Sequence, residues 1–213
     1  MPNVTLSNLW SRVWSRLDNN TQLYETAALT YAINESIRIT NIFIGYIQTT
    51  GTLITRPNQV WYPMPDGVLI PMKLQFEGSF IERVSLNYLG ETFPNWRADT
   101  TANTGYAVSH WMTSGLDKFV IHPADSIGGN LISITGVAEP TVLVNASDTI
   151  SFPEEYSEVI EDLAFTALIM KEGGKIMADG MAVYKQAISK LKEFSRWQAM
   201  RQPVQSVQMV QRR

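Results

Sequence analysis

Phe152-Pro153-Glu154-Glu155-Tyr156, running on through Leu163-Ala164-Phe165-Thr166-Ala167-Leu168, is the stretch from which the architecture is read. Tyr156, Val159, Ile160, Leu163, Ala164, Ala167 and Leu168 recur at alternating steps of three and one, the spacing of one helix face. Pro153 suits a first turn, where its missing N–H has no partner to lose, and Glu154 and Glu155 complement the positive end of the helix dipole. Gly173-Gly174 is a stop signal. A longer helix is expected beyond it, with Met177, Met181, Tyr184, Ile188, Leu191 and Phe194 on one stripe.

The N-terminal region mirrors this pair. Leu6, Leu9, Trp10, Val13, Trp14 and Leu17 share a helix face, and Asp18-Asn19-Asn20 breaks that helix and offers a cap for the next. The second helix carries Leu23, Ala27, Ala28, Tyr31, Ile37 and Ile44, and its β-branched end (Ile37 to Ile44) is read as leaving the helix.

Between the two pairs the period changes from 3.6 to 2. Met72, Leu74 and Phe76 alternate with Lys73 and Gln75; Val84, Leu86 and Tyr88 alternate with Ser85 and Asn87; Ile132 and Ile134 alternate with Ser133 and Thr135. Pro65-Asp66-Gly67 and Gly128-Gly129-Asn130 supply turns. The polar stretch from Gly90 to Gly105 reads as an exposed loop. The expected fold is therefore α+β: an antiparallel helical bundle from residues 1–50 and 153–198, an inserted antiparallel β-rich domain over 51–152, and an extended C-terminal tail over 199–213.

Composition narrows the function. With no cysteine among 213 residues, disulfides and thiolate metal sites are excluded. No basic segment leads into an apolar run at the N-terminus, so no signal peptide is expected, and the apolar stretch between Arg38 and Arg56 is too short to span a bilayer. A soluble protein from a reducing compartment is expected. The net charge of −3 hides an asymmetry. From Lys185 onward seven basic residues face one acid, Glu193, which suggests an acidic partner surface or nucleic acid nearby; a solvated helix face accounts for it equally well.

Groups able to do chemistry are sparse. His110 and His122 lie in expected strands without ligand spacing to a partner, and are read as structural; a His122–Asp125 dyad across a turn is the weaker alternative. Lys171-Glu172-Gly173-Gly174-Lys175 looks like a phosphate loop but lacks the first glycine, the Ser/Thr after the lysine and the preceding strand. The carboxylates of Glu161 and Asp162 are neighbours on a helix and do not face each other. No catalytic residue, metal ligand or cofactor is assigned. Trp96, Arg97 and Trp111 border the long loop and form the best candidate for a tail-side or ligand-contact surface, because exposed aromatic rings stack on sugars or bases.

The stretch from Phe152 to Leu168, the glycine break and the long helix to Trp197 resemble the head-to-tail adaptor (connector) proteins of tailed bacteriophages. The helix pairs, the β insertion and the polar tail match that family's layout. The resemblance implies a virion protein of the head–tail junction, assembled in the host cytoplasm and not membrane-bound. It implies a ring of identical subunits, twelve in such phages, docked beneath the portal, extending the DNA channel and offering a platform for a tail nozzle or tail-tube protein. Double-stranded DNA passes without sequence recognition, and no enzyme activity is implied. The family's tail commonly reaches into the portal; the matching portal-binding positions are Arg196, Arg201, Val204, Val207, Met209, Val210, Arg212 and Arg213. Two other readings stay open: another virion structural protein (tail-tube, stopper or fibre-attachment component), and a carbohydrate-binding domain using Trp96 and Trp111.

The tail composition carries its own expectation. Glutamines alternate with Val204, Val207, Met209 and Val210 after Pro203, so the segment gains order only from a partner's contacts. Truncation after Gln202 is expected to leave the thermal midpoint nearly unchanged while abolishing portal binding; unaltered affinity would make the tail a passive remnant.

Overall fold

The structure is a computed structural model and describes residues 4–17, 24–115, 117–170 and 174–201. Among them are six α-helices and seven strands, and the chain divides into two compact units. One joins Met1–Ile44 to Val142–Arg213, and the other is Gly45–Thr141.

The first unit holds α1 (Leu6–Arg16), α2 (Thr26–Ile44), α5 (Ser157–Ile169) and α6 (Gly174–Arg201). Thr5 caps α1, its hydroxyl accepting from the Asn8 N–H, and Leu6, Leu9 and Val13 are buried as their spacing requires. Helix α5 follows a 3-10 turn over Glu154–Tyr156 and packs against α1, α2 and α6. Val159, Ile160, Leu163, Ala164 and Leu168 are buried; Ala167 is exposed. The segment after Thr141, read from sequence as part of the strand region, belongs with the helices. Asn34 on α2 accepts from the Leu143 N–H at 2.8 Å and donates to its carbonyl at 3.0 Å, while Thr5 bridges to Thr149.

Two helix faces differ from the sequence reading. In α2 the inward residues are Leu29, Ala32, Ile33, Ser36, Ile37, Thr40, Asn41 and Ile44, whereas Ala27 and Tyr31 face outward. The β-branched end stays helical to Ile44, since burial outweighs the small propensity cost of Ile and Thr. In α6 the inward line runs through Gly180, Ala187 and Leu191, while Met181 and Tyr184 are exposed. Gly180 sits where a Cβ would press on the Ile169 side chain, so α5 comes close only because the facing residue is small. The helix also runs to Arg201, past the expected tail start at 199. Ala199, Met200 and Arg201 are strong helix formers.

The second unit is a curled seven-stranded sheet: β1 (Gln48–Ile54), β2 (Gln59–Pro63), β3 (Val68–Phe76), β4 (Ser79–Arg83), β5 (His110–Ser114), β6 (Lys118–Asp125) and β7 (Leu131–Ala138). The order is β1-β7-β3-β4-β5-β6-β2. One face encloses Tyr62, Leu74, Trp111, Phe119, Ile121, Ile132 and Ile134. The expectation of a wholly antiparallel sheet is corrected at one place: β4 and β5 pair in parallel. Parallel neighbours need a long crossover. Residues 84–109 supply it with two helices, α3 (Leu86–Thr92) and α4 (Thr101–Thr104). Val84, Leu86 and Tyr88, read as a strand, therefore lie at and within the start of α3, because the Ser85 side chain accepts from the Tyr88 N–H and opens a helix there. Nor is Gly90 to Gly105 an open loop. Thr100 and Asn103 close a capping box on α4, and Leu89 and Trp96 are buried.

Gly136 on β7 is fixed by close approach. A Cβ there would overlap the Ile70 carbonyl oxygen and stand 2.8 Å from Val68 Cγ1 and 2.9 Å from Pro71 Cα, beside the bulge in the β3–β7 register. Gly136→Ala is expected to destabilise the protein by about 1–3 kcal/mol through overpacking, read as a lowered midpoint in thermal denaturation.

Candidate functional site

Helix α5 is buried on most sides, so the Glu161 and Asp162 carboxylates are largely shielded from water, while Glu158 stays exposed. Arg12 meets Glu161 at 2.8 Å and also donates to the Ser157 hydroxyl at 3.3 Å. Arg16 meets Asp162 at 2.7 Å and lies over the Phe165 ring, 4.5 Å from its centre. Lys190 of α6 reaches Glu158 at 2.7 Å and Asp162 at 3.5 Å. The hydrogen bond to Glu158 and the charge of Asp162 hold the Lys190 ammonium above its ordinary pKa, against a smaller opposing effect of burial. Arg12 and Arg16 stand four apart on α1, and Glu158 and Asp162 four apart on α5. The two arginines nevertheless meet the adjacent acids Glu161 and Asp162, while Glu158 is taken by Lys190, so equal spacing along the chain does not identify the partners.

On the outward side of α6, Lys185, Lys192 and Arg196 are exposed at helical spacing, and Trp197 is 63% exposed. Arg196, the first of the expected portal-binding residues, thus lies on a solvent-facing cationic stripe. Arg201 is the last residue of α6; Val204, Val207, Met209, Val210, Arg212 and Arg213 lie outside the described residues.

The aromatic candidates of the second unit are corrected by their burial. Trp111 is 1% exposed inside the sheet, with the Arg83 guanidinium over its ring. Trp96 is 5% exposed and packs with Val60, Leu89, Met112, Val120 and Ala124, its ring 5.8 Å from that of Trp61. Only Arg97 remains at the surface, 5.0 Å above the Trp96 ring. Neither indole presents a free face for stacking, because in this fold a large apolar ring gains more from the core than from solvent. Trp61, 38% exposed on β2, was not singled out by the sequence pattern.

The two histidines face each other across the β5–β6 ladder, ring centres 6.0 Å apart, with Phe93 against both. His122 is buried and pairs through Nε2 with Asp99 at 3.3 Å, not with Asp125; its Nδ1 has no hydrogen-bond partner among the described residues. His110 Nδ1 contacts the Ser109 hydroxyl at 2.8 Å, and Glu82 stands 4.0 Å from Nε2. Burial lowers the His110 pKa, Glu82 opposes the shift and His122 adds to it. Serine and histidine touch, but the carboxylate lies beyond hydrogen-bonding distance of the imidazole, so the orienting contact of a nucleophile–base–acid relay is missing. No group of three or more His, Cys, Asp or Glu able to hold a metal ion occurs among the described residues.

Asp125 is occupied elsewhere, at the end of the sheet. Its carboxylate accepts from the Thr55 hydroxyl at 2.6 Å, the Asn130 amide at 2.8 Å and the Ile127 N–H at 3.1 Å. Burial pushes the carboxyl pKa up, but these bonds together with one from the Gly128 backbone outweigh it and hold the group below its ordinary 3.8. The network knits the 55–58 link to the 125–131 turn, and Gly128 with φ +75° packs against Pro57.

The described residues thus match charges inside the helical unit and leave cationic and apolar side chains outside. The chain belongs to the SU10 adaptor protein family, whose family model matches residues 4–208. It is a family of phage head-to-tail adaptors, structural proteins of the virion, and membership implies interaction with phage portal and tail proteins. No curated protein matched the chain. No described helix is long and apolar enough to cross a membrane.

A depressed carboxyl pKa stabilises the fold above its unfolded value, and that contribution is lost as pH falls through the folded value. Asp125→Asn is expected to cost about 1–3 kcal/mol at neutral pH, from lost charge-assisted hydrogen bonds. The gap to the wild-type protein should close on acidification below pH 3.8. Thermal midpoints of both proteins across the acid range check this.

Proposed function

We propose that this adaptor joins the portal to the tail as a ring of identical subunits, twelve by family resemblance, extending the DNA channel. The observation that carries the reading is the family match across residues 4–208, which includes the helices, the inserted sheet and most of the C-terminal segment. The helical region docks to the portal and the β-rich region points to the tail nozzle or tube. Arg201 at the end of α6 and the Val and Met side chains beyond it grip the portal, and the exposed stripe of Lys185, Lys192 and Arg196 contributes positive charge beside them. The chain acts by assembly rather than catalysis. Exposed apolar side chains support such a role, since Tyr31, Val142, Val144 and Ile127 are 62–81% exposed in a protein with core enough to hide them. A repeated heterologous interface is the economical route from one chain to a closed channel. Burial of Trp96 and Trp111 removes the support for the carbohydrate-binding reading.

Native mass spectrometry with and without portal tests this. A monomer or weak oligomer is expected alone, and a closed ring on the portal. A stable symmetric dimer in both conditions would refute it.

A further inference from the structure

The β unit carries a projecting apolar tip at one end of the β2–β6 ladder and an apolar cavity at the other. The tip is Ile127, 81% exposed, with Ile54 at 59% and Leu131 at 42%, the last two paired across β1 and β7. Single exposed isoleucines are ordinary. This one sits on a turn held rigid by the Asp125–Thr55–Asn130 network, so it projects without the conformational freedom that would otherwise be lost on binding. The Glu77 carboxylate lies at the Leu131 edge of the tip, accepting from the Leu131 N–H.

At the opposite end, Trp61, Tyr62, Pro63, Ser114 and Lys118 line a cavity of about 450 Å³ whose walls are mostly apolar. The pairing of Gln59 with Asp125 marks the tip end, and that of Pro63 with Lys118 marks the cavity end. At the rise of an extended strand, Lys118 and Asp125 are roughly 23 Å apart. One unit therefore presents an apolar tip with an anion at its Leu131 edge, and separately an apolar socket with a cation in its wall. They cannot meet within a chain, but they complement each other between two chains in polarity and charge.

Resting on the ring reading above, we infer that Ile127 of one copy seats in the Trp61–Lys118 cavity of the next, with Glu77 of the first facing Lys118 of the second. The contact is head-to-tail, so every copy uses its tip once and its socket once, as closure of a ring demands. The tip is the anchor of a wider interface rather than the whole of it.

The test uses the full chain assembled on portal. Ile127→Asp puts a charge into an apolar socket, and is expected to raise the protein concentration needed for ring formation at least about tenfold. The melting temperature of the free chain should not change, because Ile127 is solvent-exposed there. The natural sequence has no cysteine, so a double variant, Ile127→Cys with Ser114→Cys, gives a direct readout. Mild oxidation should yield a ladder of covalent multimers that neither single variant gives, since the two positions are too far apart to bridge within one chain. Wild-type-like assembly of Ile127→Asp, or a double variant that stays monomeric while the wild-type protein forms rings, would overturn this contact and leave the ring standing. A wild-type chain that forms no ring on portal would overturn both.

Discussion

The helical unit depends on one constraint: a helix surrounded by protein cannot carry unpaired carboxylates. Helix α5 is enclosed by α1, α2 and α6, yet it bears Glu161 and Asp162 on flanks that reach the interior. Leaving either unpaired would cost several kcal/mol. Arg12 and Arg16 answer them from α1, and Lys190 answers Asp162 and Glu158 from α6. The guanidinium groups keep part of their surface in water, which moderates the desolvation cost while the bond geometry stays short. Apolar burial would hold α1 against α5 in several rotations; the two arginine–carboxylate pairs select one of them.

The β unit meets the same kind of demand at its end. Beyond the contact of Gly128 with Pro57, a turn that projects isoleucine into solvent depends on polar bonds to define it. Asp125 supplies the definition through bonds to Thr55, Asn130 and the Ile127 backbone. In both units a buried carboxylate fixes a geometry that hydrophobic contact alone leaves loose.

The sequence reveals α5 almost completely, because its period is unbroken and Pro153 and the following acids announce its start. It reveals the β3 and β7 strands for the same reason, with period two in place of 3.6. The phases of α2 and α6 are less legible. Large side chains such as Tyr31, Met181 and Tyr184 draw attention to a face that proves to be outward, while the inward line is built of Ala32, Gly180 and Ala187. Where helices approach closely, small residues mark the core, and a search for bulk points the wrong way. The 84–109 crossover is hidden for another reason. Ser85 does signal a helix start, but the alternation around it imitates a strand, and parallel pairing of β4 with β5 is decided by partners far along the chain. Trp96 in a polar stretch looks exposed until Val60, Leu89 and Val120 are brought around it. The Asp125 network is local enough to be glimpsed as a Gly-Gly-Asn turn, but its key partner, Thr55, comes from seventy residues away.

The insertion of the sheet between the helix pairs has a consequence for the chain entropy lost when the helices meet. Helices α1 and α2 are separated from α5 and α6 by about a hundred residues, and closing a flexible loop of that length costs about 4 kcal/mol in chain entropy. The sheet removes most of that cost once formed. Its first and last strands, β1 and β7, are neighbours, and the Ala138 N–H bonds the Ile47 carbonyl at 2.9 Å, so the insert enters and leaves side by side. To the helices a folded insert is a short hairpin rather than a long tether. The inserted sheet thus acts as an internal splint: once formed, it turns a distant encounter into a local one.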